Sequence, residues 1–145
     1  KNFALTLDPP LAVFNAANLT NGFARPTSQP NAWVADWANA SPTLQLVWPE
    51  PQRIGRIELA FDTDFDHPME SVLMGHPERV MPFCVRQFEL RDDAGLVLFK
   101  CVDNHESRRS IRLEPPVTTR QLTICLTAPS AMIPAALFEV RCYRE

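Results

Sequence analysis

The chain has 145 residues, 46% of them hydrophobic, and a formal net charge of -3, which is one domain's worth of sequence with enough apolar material for a core. That charge gives no electrostatic footprint for nucleic acid, no apolar run reaches membrane-spanning length, and no signal-peptide pattern opens the chain. With only four glycines and no G-x-S-x-G, H-E-x-x-H or G-x-G-x-x-G motif, nothing announces a catalytic or phosphate-cradling loop.

Taken in order, residues 1–10 read as a linker or an edge strand closed by Pro9-Pro10. Lys1, where a Met would start a chain, reads as a piece of a longer polypeptide or a processed form. Residues 21–36 ("NGFARPTSQPNAWVAD") follow neither a helical stripe nor a strand alternation, yet place Asn21, Gly22, Arg25, Trp33 and Asp36 among turn-formers. Such a stretch either folds back to plug a core or forms a site. "LQLVW" reads as a strand before Pro49, and "RIELAFD" as a second, with Ile57, Leu59 and Phe61 on one face. "DHPMESVLMG" is the one helical hint, with Asp66 or His67 capping, Pro68 starting and Gly75 stopping it. "FELRDDAGLVLFKC" reads as a hairpin turning at Gly95. "SIRLEP", "QLTICLT" and "ALFEVRCY" complete the strands; the last predicts Phe138, Val140 and Cys142 inward, Glu139 and Arg141 outward. Short strands separated by turns, without helices, predict an all-β antiparallel jelly-roll β-sandwich. A single domain over residues 1–145 is expected.

Several residue groups carry competing readings. Cys84, Cys101, Cys125 and Cys142 contain no C-x-x-C pair, so free thiols on strands are preferred over bridges. "DTDFDH" resembles the start of a calcium loop but has His67 where Gly is needed and Leu73 where Glu is needed. Asp62, Asp64 and Asp66 then read as turn-formers, and a His67/His76 metal pair as the minor alternative. Arg108, Arg109 and Arg112, flanked by Glu106 and Glu114, read as a solvated strand edge.

The order "ANLTNGFARP…NAWVAD", "PTLQLVWPEPQRIGRIELAFD", "RQFELRDDAG", "RLEPPVTTRQLTICLT", "AALFEVRCY" resembles the galactose-binding-like sandwich of discoidin, or coagulation-factor type C, domains. The segment "FDTDFDHPMESVLMGHPERVMPFCVRQFEL" resembles an insertion in C-terminal domains of bacterial FAD-dependent oxidoreductases. The resemblance implies a non-catalytic accessory domain with no cofactor of its own. FAD would belong to an upstream domain of the same chain, the partner in that reading. A carbohydrate-binding module tethering an enzyme to glycans is the alternative.

The sandwich resemblance also implies a structural calcium held by Asn21 and Glu139; without metal, Asn21-Gly22 is a tight turn and Glu139 pairs with an arginine such as Arg25. Candidate ligand-binding residues are Arg25, Trp33, Asp36 and Trp37, since an aromatic face packs on a pyranose while polar neighbours bond its hydroxyls. For Trp33 the preferred reading is a buried plug, with Arg25 and Asp36 anchoring the loop; Trp37 is left to face a ligand or a partner domain. Compartment, cytoplasmic or exported, stays open.

Overall fold

A computed structural model describes residues 13–63 and 82–144. The helical hint at 66–75, the segment 1–10 and both His67 and His76 lie outside the described residues. Six strands form: β1 (Trp33–Val34), β2 (Thr43–Phe61), β3 (Phe88–Arg91), β4 (Val97–Cys101), β5 (Arg108–Leu126) and β6 (Ala136–Tyr143). All pair antiparallel, in the order β1-β6-β2-β5-β3-β4. No α-helix occurs among the described residues; a 3-10 turn, Ala16–Thr20, precedes β1.

The expected separate strands "LQLVW" and "RIELAFD" are one strand of 19 residues, and so are "SIRLEP" and "QLTICLT". The prolines that suggested breaks sit where the ladder is already interrupted. Pairing skips from Val47 to Gln52 in β2, and from Val117 to Arg112 opposite Ile54 and Arg56. Pro49, Pro51, Pro115 and Pro116 therefore delete no ladder hydrogen bond. At these gaps the sheet folds over on itself. The early half of β2 and the late half of β5 join β3 and β4 in one layer; the other halves join β6 and β1 in the second.

Between the layers lies one apolar cluster. Ile57, Leu59 and Phe61 of β2, at 0–1% exposure, meet Leu90, Leu122 and Ile124 from the opposite layer. The Phe61 and Phe88 rings, on strands that are not ladder neighbours, lie 5.3 Å apart. That contact marks the closing of the sandwich, since it bridges layers. The Asp92–Leu96 turn forms as expected: Asp92 Oδ1 accepts from Ala94 and Leu96 N–H (3.0 and 2.8 Å), and Gly95 takes φ +82°. All four cysteines are free thiols. Burial pushes the Cys84 thiol up to about 11.

One sequence expectation fails in β6. Pairing passes from Ala60–Glu139 to Phe61–Leu137, so Phe138 is an extra residue in a bulge. Leu137 takes the inward place, and Phe138 packs outside with Ala32 and Ala60 in a second cluster. Glu139 points to that same outer side yet is only 3% exposed.

On the outer face of the second layer, Glu58 accepts from Arg56 and Arg108, with the Tyr143 hydroxyl at 3.4 Å. Burial raises the Glu58 carboxyl, but the Arg108 and Arg56 guanidinium groups outweigh it and hold it below its ordinary value of 4.5. The stabilisation is therefore complete above the unfolded value and is lost as pH falls through the lower folded one. Glu58→Gln is expected to shrink the fall in melting temperature between neutral pH and pH about 3; equal acid limbs for variant and wild type would contradict the assignment.

Candidate functional site

Two loop regions carry the candidate residues. In the first, the stretch 21–32 lies over the outer face of β6. Asn21 Oδ1 accepts from Phe23 N–H (2.9 Å), its amide donates to Asn31 Oδ1, and Gly22 turns at φ +91°. Asn31, 5% exposed, donates to the carbonyls of Phe23 (2.6 Å) and Arg25 (3.3 Å). Asn18 ties the same loop down by donating to the carbonyls of Val13 (2.9 Å) and Ala32 (2.7 Å). Its amide is thus part of the fold. These bonds replace the ladder that the irregular backbone lacks.

Glu139 sits beneath this loop and pairs with Arg141 at 2.7 Å; Arg141 also donates to Gly22 carbonyl at 3.4 Å. The Glu139 carboxylate holds Arg141 well above the usual guanidinium range. A hard cation takes oxygens of these kinds, but each already accepts a hydrogen bond and Arg141 occupies the Glu139 carboxylate, so an ion here would have to displace Arg141. Among the described residues, no group of three or more His, Cys, Asp or Glu side chains forms a metal cluster. Any cation would therefore depend on carbonyl and amide oxygens around the single carboxylate.

In the second region, loops 35–42 and 127–135 lie side by side. Ala35 N–H donates to Ala135 carbonyl and Ala128 N–H to Ala40 carbonyl, each at 2.9 Å, and Leu126 N–H donates to Pro42 carbonyl at 2.9 Å. Asp36 Oδ1 accepts from Ala38 N–H (2.9 Å) and its carbonyl from Asn39 N–H (3.0 Å), fixing a tight turn. Trp37 stands on that turn at 69% exposure, and Met132 on the neighbouring loop at 77%. Ser41 and Thr127, from the same two loops, line a cavity of about 380 Å³. Across its floor run Thr43, Cys125, Glu89 and Lys100, one cross-strand row of β2, β5, β3 and β4. Glu89 meets Arg91 at 2.5 Å and Lys100 at 3.8 Å.

The sequence candidates thus divide. Asp36 and Trp37 share the second region; Asn21, Arg25 and Glu139 belong to the first; Trp33 lies on β1, half-buried against the main core and opposite Leu137. Sequence reading did not single out Asn31, Arg141, Glu89 or Lys100. Their spacing in the chain carries no motif; only the register brings them to these places.

No family model and no curated protein sequence matches the chain. Solved structures do. A family 32 carbohydrate-binding module from Streptococcus pneumoniae EndoD superposes with TM-score 0.68 at 15% identity, covering 99% of this chain and 91% of that one. Chitosan-binding module 1 of a Paenibacillus chitosanase/glucanase gives 0.65 at 12% identity over 91% and 86%. A Streptococcus pneumoniae fucose-binding module gives 0.64 at 13% identity over 92% and 88%. The chain has the all-β, galactose-binding-like sandwich fold that these modules share.

Proposed function

We propose that this domain binds carbohydrate and is not itself catalytic, with Trp37 as the platform. The carrying observation is that Trp37 is largely exposed on a turn fixed by Asp36, in the loop whose other end, Ser41, edges a cavity with Thr43 and Thr127. An exposed indole presents a flat apolar face, and a pyranose C–H face suits it. The hydroxyls of Ser41, Thr43 and Thr127 and the Glu89–Lys100 pair lining that cavity would supply partners for sugar hydroxyls, and its volume is that of a small-ligand site. Modules of similar fold that bind chitosan or fucose support this reading. It takes precedence over the accessory domain of a flavin oxidoreductase, because the solved structures of similar fold named above are carbohydrate-binding modules. A glycan-array screen tests it: selective hits among neutral glycans are expected, and a blank array at high protein concentration would overturn it.

Calcium at the Asn21 loop, held by Asn21, Glu139 and loop carbonyls, is the companion proposal. The ion would pin an irregular loop to β6 and raise stability by binding only the folded state. Melting curves with calcium are expected to lie above those with chelator, and Glu139→Ala to abolish the difference. Coincident curves for the wild type would leave Glu139 as the ion-pair partner of Arg141 alone.

A further inference from the structure

The outer face of β2, β5 and β6 gathers charges that the carbohydrate reading does not use. Register places Arg56 between Arg112 and Tyr143, and Glu58 between Ser110 and Arg141, with Arg108 one row further on. The sequence run "SRRSIR" thus supplies Arg108 and Arg112 to an array completed by strands 50 residues earlier and 30 later. Four guanidinium groups (Arg56, Arg108, Arg112, Arg141) against three carboxylates (Glu58, Glu139 and, next after Arg112 on the same side of β5, the exposed Glu114) leave a formal excess of one positive charge on this face. The whole chain carries -3.

The array is anchored. Arg56 and Arg108 both bond the Glu58 carboxylate, whose side chain is 12% exposed. Arg56 also lies 3.9 Å over the Tyr143 ring, and Arg141 is held by Glu139. Arg108 remains 54% exposed and Arg112 is exposed. Arg56, Arg108 and Arg141 neutralise carboxylates that are largely buried, which stability requires; the exposed Arg112 and the exposed side of Arg108 go beyond that need. A guanidinium already oriented on one side keeps further N–H donors for a planar or tetrahedral anion on the other, with little more entropy to lose.

We propose that this face binds an acidic polysaccharide through bidentate contacts from Arg108 and Arg112, flanked by Arg56 and Arg141. Isolated sulfate or carboxylate groups carried on hydroxylated rings suit it better than dense phosphate. Duplex DNA carries a charge about every 1.7 Å along its axis, denser than acidic groups spaced one to a sugar ring. Arg56 covers one face of the Tyr143 ring, which a stacked base would otherwise use.

This inference does not rest on the Trp37 reading, and its test separates the two. Binding is measured on immobilised heparin, with hyaluronate as the carboxylate source and dextran as the neutral control, from low to moderate salt. Retention on heparin, hyaluronate or both, and none on dextran, is expected; which of the two binds identifies sulfate or carboxylate as the group read. Arg108→Gln with Arg112→Gln is expected to weaken binding at least about tenfold and to lower the salt slope by about two. Ser110→Glu, an exposed position inside the array, is expected to weaken it similarly, and Trp37→Ala to leave it unchanged. No retention of the wild type at low salt, an unaffected double variant and Ser110→Glu, or tighter binding to duplex DNA or anionic vesicles would each overturn the proposal.

Discussion

Trp37→Ala is expected to weaken glycan binding about 30-fold or more, the loss typical of an aromatic hot spot worth about 2 kcal/mol. Stability should stay within about 0.5 kcal/mol of wild type, because the indole is 69% exposed and its turn is fixed by Asp36 and backbone bonds instead. Isothermal titration with the strongest array ligand, beside a urea melt, measures both. A variant that binds as well as wild type would remove Trp37 from the site. One that fails to fold would make it a structural residue, contrary to its exposure.

Phe61→Ala should have the largest effect on stability, about 3–5 kcal/mol in urea melts, as for large core aromatics. Phe61 is 1% exposed, pairs opposite Leu137 beside the β6 bulge and contacts Phe88 across the sandwich. Its loss would empty the point where the two layers meet. A cost below about 1 kcal/mol would mean that the layers close by some other contact.

Much of this architecture could be read from the residues alone. Ile57, Leu59 and Phe61 alternate with Arg56, Glu58 and Ala60, and burial follows that alternation because one face of a sheet must pack. Ala60 escapes it, since the folded-back loop covers its outer side. The prolines misled in one respect: they mark where β2 and β5 bend between layers, not where strands stop. Period-two reasoning could not foresee the bulge at Phe138: the extra residue gives the inward place to Leu137, while Val140 and Cys142 keep the face that alternation predicts.

The sites were less legible still. Trp33 and Trp37 stand four residues apart in one irregular stretch, and no local rule says which turns inward. β1 pairing with Leu137 sets Trp33 against the core, while the Asp36 turn lifts Trp37 out. Asn31 is a single amide after a proline in sequence, yet it holds two loop carbonyls in the fold. The arginine face depends entirely on cross-strand register, which brings Arg56, Arg108, Arg112 and Arg141 together from three strands.

The central claim, carbohydrate binding at the Trp37 end, is tested most directly by following the three indole N–H resonances during titration with the strongest array ligand. The Trp37 signal is expected to shift with ligand concentration, while Trp33, packed against the core, and Trp48, half-buried on β2, stay in place. Saturable binding that leaves Trp37 unmoved and shifts Trp33 or Trp48 would contradict the claim.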